Sequence, residues 1–179
     1  MNNKIVGLEI KELVSHGDER GFFREIIRHT DDFFMEGKFA QWSHSKMAKD
    51  VVKAWHYHHK QYDWWYVPIG HVEAVFYDNR EESSTYKEKV IVNMGDSSES
   101  TKAKEVCIKI PPGVLHGLKV ISQRAHLFYI TSEIYDPNDE GRFKYNSELV
   151  AHEWGENVTT VANDRRDFTP TAPRTVLAK

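Results

Sequence analysis

The stretch that decides the fold is WWYVPIGHVEAVFYDN, residues 64–79. Aromatic and β-branched residues, which favour strands, dominate positions 64–67, and Gly70 interrupts them. Residues 72–77 then alternate along the chain, and the pair Asp78-Asn79 is typical of a turn. The stretch therefore predicts two short strands separated by a turn.

Similar strand patterns occur further along the chain. Residues 87–92, 105–110 and 125–131 are rich in strand-forming side chains, whereas residues 93–104 are polar and predict a loop. The segment Pro111-Pro112-Gly113 lies between the last two of these strands. Many short strands with little helical periodicity predict a mainly β protein, an antiparallel sandwich or barrel.

Two short helices are also predicted, one over residues 31–35 and one near the C-terminus. A chain of 179 residues suits a single domain with one stable core. We expect residues 1–179 to form that domain, with a core over about 16–137. The tail after Trp154 contains Pro170 and Pro173, and we expect it to wrap on the surface.

Composition excludes several classes of function. The formal net charge is −3 and basic residues form no stripe, so a nucleic-acid partner is not expected. No apolar run approaches the ~20 residues that cross a bilayer, and the N-terminus lacks the features of a secretory signal. Cys107 is the single cysteine, which suits a reducing compartment, and a cytoplasmic location is predicted.

Histidines carry the first functional signal. His56 and His58 fall on a predicted strand, where residues two apart face the same side. Asp63 and His116 lie further along the chain, and imidazoles with a carboxylate are ligands that divalent metals prefer. The spacing resembles the two motifs of the cupin superfamily, with Asp63 in place of the usual glutamate. The alternative is that His58 or His59 is simply a residue of the barrel rim.

A longer resemblance covers residues 16 to about 164. The segment HGDERGFFRE, residues 16–25, resembles the D-x-R-G-x-F-x-E signature of the dTDP-4-dehydrorhamnose 3,5-epimerase family. FAQWSHS at 39–45 and KAWHY at 53–57 resemble two further segments of that family. The ordered matches continue at residues 78–85, at IPPG of 110–113 with His116-Gly117, at Tyr129, and at Tyr135-Asp136-Pro137.

This resemblance implies a cupin-type double-stranded β-helix, or jelly-roll, and epimerisation at C3, or at C3 and C5, of a nucleotide-linked 4-keto-6-deoxy-hexose. By the resemblance, His56 is the base and Tyr129 is the acid. Asp164, with Asp167 as the reserve, is the carboxylate that orients His56. Lys53 stands where the family has an arginine that stabilises the enolate, and no cofactor is implied.

The resemblance also implies residues that bind the substrate. Arg20 and Gln41 match positions that contact the nucleotide diphosphate, and Ser43 lies in the same segment as Gln41. Tyr135 matches an aromatic residue that lines the sugar site, and His116 joins Lys53 at the enolate oxygen. The nucleotide is dTDP or CDP. The N-terminal segment predicts a homodimer, in which Arg20 acts across the interface.

One departure from the family leaves alternatives open. Asp63 occupies a position where the family has a lysine, and a carboxylate cannot stabilise an enolate. The chain is then a metal-free epimerase with an altered pocket, or a metal-dependent cupin oxygenase or isomerase, or a non-catalytic sugar-binding protein. In the metal alternative the ligands are His56, His58, Asp63 and His116, and His56 is then no longer a base.

Overall fold

The structure, a computed structural model, describes residues 5–35 and 38–160. Within these ranges the chain forms twelve β-strands and no helix. The strands are β1 (Glu9–Glu12), β2 (Ser15–Asp18), β3 (Gly21–Arg24), β4 (Gln41–Ala48), β5 (Val52–His58), β6 (Asp63–Ile69), β7 (His71–Asp78), β8 (Lys89–Gly95), β9 (Val106–Ile110), β10 (Val114–Val120), β11 (Arg124–Thr131) and β12 (Glu140–Arg142).

Two five-stranded antiparallel sheets form the body of the protein. The first has the order β1-β9-β6-β11-β4 and the second the order β12-β5-β10-β7-β8, while β2 and β3 form a separate hairpin. Buried side chains from both sheets, such as Ile108 of β9 and Leu118 of β10, share one hydrophobic core. The arrangement is the predicted mainly β, cupin-type jelly-roll barrel.

The stretch at residues 64–79 contains most of β6 and all of β7. Gly70 joins the two strands with φ of +87°, and a Cβ at this position would lie 2.1 Å from the carbonyl oxygen of Arg124. Only glycine meets both conditions without strain. β8, β9 and β11 match the other predicted strands, although β8 begins at Lys89 because Lys87 has a positive φ of 70°.

The predicted helix over residues 31–35 is wrong. The segment forms turns, in which the amide of Phe34 donates to the carbonyl of Asp31 at 2.8 Å. Met35 then adopts a left-handed conformation with φ of 69°, which ends any helical path. The other predicted helix, near the C-terminus, is absent up to residue 160, and residues beyond it lie outside the described ranges.

The segment after β12 covers the second sheet. Trp154 packs against the fully buried Trp55 of β5, with ring centroids 5.1 Å apart. Lys119 of β10 donates from Nζ to the carbonyls of Trp154 and Glu156, both at 2.7 Å. The remainder of the predicted wrapping tail lies outside the described ranges. The part of the chain that the structure describes holds no helix of the length and hydrophobicity that a bilayer crossing requires.

Candidate active site

A polar cleft of about 250 Å³ opens between the two sheets. It is lined by side chains of β4, β6 and β11 from the first sheet and of β5, β10 and β12 from the second. Six of the residues predicted for the site line this cleft: Lys53, His56, Tyr129, Gln41, His116 and Tyr135. The structure therefore brings together groups that are up to 94 positions apart, Gln41 and Tyr135.

Three other predicted site residues are not among those that line the cleft. Arg20 lies on the β2–β3 hairpin, where its side chain is 83% exposed and pairs with Asp18, and it does not line the cleft. Ser43 also does not line the cleft, and its hydroxyl instead accepts a hydrogen bond from Gln41 at 2.8 Å. Asp164 and its reserve Asp167 lie outside the described residues.

His56 lies on β5 with its ring in the cleft. Nδ1 of His56 is 3.3 Å from Oε1 of Glu140, a carboxylate on the neighbouring strand β12 whose side chain is 8% exposed. Because a carboxylate only accepts, Nδ1 is the protonated nitrogen in the neutral ring, and Nε2 is the basic one. Glu140 also accepts a hydrogen bond from Nε of Arg142 at 2.6 Å, which fixes its orientation.

Sequence reasoning missed Glu140. It lies on a strand of three residues, in the turn-rich sequence YDPNDEGR of 135–142, where neither periodicity nor a motif distinguishes it from Asp136 or Asp139. Its role depends on β12 pairing with β5, a contact across more than 80 residues that no local pattern indicates.

Tyr129 enters the cleft from the opposite sheet. It lies on β11, where it pairs with Ser43 of β4 on one side and with Trp65 of β6 on the other. Its half-buried ring packs against the hydrophobic core. His56 and Tyr129 therefore approach the same space from different walls. A base and an acid on opposite walls are what removal of a proton from one face and its return to the other require.

His116 lies on β10 and is buried. Its Nδ1 donates to the carbonyl oxygen of Val114 at 3.1 Å, so the lone pair of the neutral ring is on Nε2. Burial, together with neighbouring His58 and His56, holds the pKa of His116 well below its ordinary value. The ring is therefore neutral and offers Nε2 as an acceptor, which does not suit the predicted role as a donor to an enolate oxygen.

A bulge in β5, opposite Gly117 of β10, lies next to the His116 ring. The β10–β5 pairing aligns His116 with His56 and then shifts register before Leu118. At Gly117 a Cβ would lie 2.5 Å from the Cβ of Ala54, so only a glycine lets the two strands approach here. The close approach brings the His56 and His116 ring centroids to 6.4 Å.

His58 and Asp63 meet beside His116. The side-chain ligand atoms of these three residues all lie within 4.8 Å of one another, and His56 is not part of this group. Nε2 of His58 is 4.0 Å from Oδ1 of Asp63, and the His58 ring stacks on His116 with centroids 5.5 Å apart. Three of the four residues of the metal alternative thus converge, while His56 faces Glu140.

Lys53 and Gln41 complete the polar wall of the cleft. Nζ of Lys53 donates to Oγ of Ser45 at 2.8 Å, and partial burial at the rim lowers the pKa of Lys53. The Gln41 carbonyl accepts the backbone amide of Tyr135 at 3.2 Å. Gln41 therefore ties β4 to the loop that carries Tyr135.

Comparison with known proteins gives the family. The sequence model of the dTDP-4-dehydrorhamnose 3,5-epimerase family matches residues 2–170, and the chain belongs to this family. The spore coat polysaccharide biosynthesis protein SpsL of Bacillus subtilis is 38% identical over 153 residues, which are 84% of this chain and 96% of that protein. The dTDP-4-dehydrorhamnose 3,5-epimerase of Salmonella typhimurium is 33% identical over 144 residues, 77% of this chain and 75% of that protein.

A solved structure agrees with this assignment. The dTDP-6-deoxy-D-glucose-3,5-epimerase RmlC of Legionella pneumophila, determined in complex with dTDP-4-keto-L-rhamnose, is 29% identical and superposes with a TM-score of 0.79. The match covers 92% of this chain and 88% of that one. Family membership confirms the resemblance, the cupin-type fold and the enzyme class, an isomerase that acts on sugar nucleotides.

Proposed function

We propose that this sugar-nucleotide epimerase inverts C3, or C3 and C5, of a dTDP- or CDP-linked 4-keto-6-deoxy-hexose, with His56 as base and Tyr129 as acid. The observation that carries the proposal is the pair formed by His56 and Glu140, which faces Tyr129 across the polar cleft. It is the arrangement that two-sided proton transfer needs.

The chemistry depends on the ketone. A carbonyl at C4 acidifies the C–H bonds of C3 and C5, so that a base near neutral pH can remove one of these protons. Nε2 of His56 accepts the proton, and the electron pair of the C–H bond forms an enolate with its charge on the C4 oxygen. The Glu140 carboxylate stabilises the imidazolium that results. Tyr129 then returns a proton from the other face.

Lys53 and Arg142 are cationic side chains that line the cleft and support charge stabilisation at the enolate. Arg142 already pairs with Glu140, which partly neutralises it. Gln41 and Tyr135 also line the cleft, and in this proposal they bind the substrate. His116 contributes shape and an acceptor rather than a donor, in view of its bond to Val114.

A homodimer explains the position of Arg20. Among the strands that the structure describes, the β2–β3 hairpin pairs with neither large sheet, and Phe22 and Phe23 on it are 60% and 64% exposed. Trp42 of β4 is 66% exposed beside an apolar groove of about 420 Å³. Burial of these aromatic rings against a second copy would bring Arg20 to the partner's cleft, where its guanidinium suits a diphosphate.

The cellular role rests on the relatives. Since SpsL is a spore coat polysaccharide biosynthesis protein, we propose that this chain supplies an epimerised deoxysugar nucleotide for a polysaccharide. Its free, buried Cys107 supports the predicted cytoplasmic location.

A screen of sugar nucleotides tests the proposal. Wild-type protein is incubated in deuterated water with dTDP-, CDP- and GDP-linked 4-keto-6-deoxy-hexoses, and the mass of each sugar nucleotide is followed. We expect a gain of one or two mass units over the enzyme-free control with the dTDP- or CDP-linked sugar. If no sugar nucleotide gains deuterium, the proposal is wrong and a non-catalytic role in sugar binding becomes the better explanation.

A further inference from the structure

We infer that His58, Asp63 and His116 form a binding site for one divalent transition-metal ion, on the cleft wall beside His56. The side-chain ligand atoms of the three residues lie within 4.8 Å of one another. They come from β5, β6 and β10, so the site depends on the barrel and not on a flexible loop.

The two imidazoles are prepared for ligation. Nδ1 of His116 donates to the Val114 carbonyl at 3.1 Å, which is the outer contact that directs Nε2 toward a metal. The His58 ring lies nearly parallel to that of His116, at 28° and 5.5 Å between centroids. The Trp65 indole lies nearly perpendicular to the His116 ring, with ring centroids 5.1 Å apart, so packing holds His116 on that side.

Asp63 supplies the negative charge. Its side chain is 5% exposed, and its two oxygens accept hydrogen bonds from the Gln61 amide at 2.7 Å and the Trp65 indole at 3.2 Å, both of them uncharged donors. The ion pair that the structure gives Asp63 is the 4.0 Å contact with His58, a neutral ring unless protonated. A buried carboxylate needs a positive charge close by, and a metal ion would supply it.

Gln61 marks where the ion would lie. Its side-chain amide donates to Oδ1 of Asp63 at 2.7 Å and contacts Nε2 of His58 at 3.2 Å. Oδ1 of Asp63 and Nε2 of His58, which come from different strands, therefore both face the position that the Gln61 NH₂ group occupies. A cation there would displace the Gln61 NH₂ or turn the amide so that its oxygen faces the metal.

The donor set defines the class of ion. Two imidazoles and one carboxylate suit Zn²⁺, Fe²⁺, Co²⁺ or Ni²⁺ better than Mg²⁺ or Ca²⁺, which prefer oxygen ligands alone. Three protein ligands leave a coordination position for water or substrate. Because His56 is not among the ligands, it keeps its place as the base. If the proposed epimerase function is right, the ion adds positive charge close to the C4 oxygen.

Binding is tested without substrate. Purified protein is treated with a chelator, dialysed and titrated with Co²⁺, whose visible absorption reports coordination, and bound metal is counted by elemental analysis. We expect one ion per chain. Loss of a residue that only hydrogen-bonds to a metal ligand lowers metal affinity by roughly 10- to 100-fold. Since Asp63→Asn and His58→Ala each change a ligand itself, we expect their affinity for Co²⁺ to fall by more than this.

The matched control uses another histidine pair. His44 and His126 lie on the exposed face of β4 and β11 with ring nitrogens 3.0 Å apart, which could bind Co²⁺ adventitiously. We expect His44→Ala to bind metal as wild type does. Absence of binding in wild type, or binding lost in His44→Ala and kept in Asp63→Asn, would overturn the inference. Circular dichroism of each variant checks that it folds.

The test separates this inference from the proposed function. If the chelated protein binds no Co²⁺ yet still introduces deuterium into the sugar, the epimerase function holds and the metal site is wrong. If one Co²⁺ binds through the three residues and no sugar nucleotide exchanges, the metal site holds and the epimerase proposal fails. Exchange that rises when Co²⁺ is added supports both, and exchange unchanged by bound Co²⁺ contradicts only the contribution of the ion to catalysis.

Discussion

Nδ1 of His56 lies 3.3 Å from Oε1 of Glu140, and this contact joins β5 of the second sheet to the edge strand β12. The pairing of β5 with β12 places the two residues on the same side of the sheet, where Arg142 holds the carboxylate in position. Because the carboxylate only accepts, Nδ1 carries the proton of the neutral His56 ring and Nε2 is the basic nitrogen.

The first prediction concerns Glu140. Glu140→Gln keeps the size of the side chain and removes the charge that stabilises the His56 imidazolium. We expect kcat to fall by roughly 10²- to 10⁴-fold while KM changes little, since the loss occurs after substrate binds. Steady-state kinetics on the epimerisation measure both constants.

Glu148→Gln is the matched control, because Glu148 is an exposed carboxylate in the segment that comes after β12. It should leave both constants unchanged. A Glu140→Gln enzyme with wild-type kcat would contradict the pairing, and a loss of activity in Asp164→Asn alone would return the role to the residue that the family resemblance implies.

The second prediction separates proton removal from proton return. In Tyr129→Phe the base is intact, so C3 should still lose and regain its proton on the His56 face. We expect deuterium incorporation to continue while formation of the inverted sugar falls by roughly 10²-fold or more. Nuclear magnetic resonance of the product distinguishes the two. Equal loss of exchange and inversion would show that Tyr129 is not the acid.

Asp78 gives a prediction on stability and pH. Burial alone would raise the pKa of this fully buried carboxyl, but hydrogen bonds from Arg80, Ser83 and Thr85 outweigh burial and lower it to about 2. A lowered pKa stabilises the fold above the unfolded value of 3.8, and the contribution is lost as pH falls toward 2.

Asp78→Asn should therefore reduce the free energy of unfolding by about 2 kcal/mol at neutral pH, and the difference from wild type should shrink between pH 4 and pH 2. Urea denaturation across this range measures it, with the exposed Asp32→Asn as control. A difference that stays constant with pH would mean that the charge of Asp78 is not what stabilises the turn.

Gly70 gives a prediction on the turn between β6 and β7. Gly70→Ala combines a left-handed φ with a Cβ 2.1 Å from the Arg124 carbonyl, so the backbone must move. We expect the free energy of unfolding to fall by more than about 1 kcal/mol. Gly17→Ala, where the added Cβ meets its nearest atom at 3.5 Å, should cost less. Equal effects of the two substitutions would show that neither the left-handed φ nor the close approach at Gly70 matters to stability.

The sequence predicted the strands well because each is a local pattern. The run at 64–67 and the alternation at 72–77 appear in the structure as β6 and β7. His56 and His58 share one face for the same local reason, and both line the cleft. Contacts between distant strands could not be predicted in this way. Glu140 reaches His56 only because β12 pairs with β5, a register that no single segment encodes.

Two further differences have physical causes. Residues 31–35 resemble a short helix in composition, yet the left-handed Met35 ends the segment after a single turn. His116 lines the cleft, but its bond to Val114 commits Nδ1 and makes Nε2 an acceptor. The tautomer of His116 depends on its hydrogen bond to the Val114 carbonyl, so it can be assigned only in the folded protein.

The most direct test of the central claim is hydrogen exchange at C3 of the sugar. Wild-type protein and His56→Ala are incubated in deuterated water with the sugar nucleotide that the screen selects, and each position of the sugar is followed by nuclear magnetic resonance. We predict that wild type replaces the C3 proton with deuterium and that His56→Ala does not. Exchange at C3 that persists in a folded His56→Ala protein would contradict the assignment of His56 as the base.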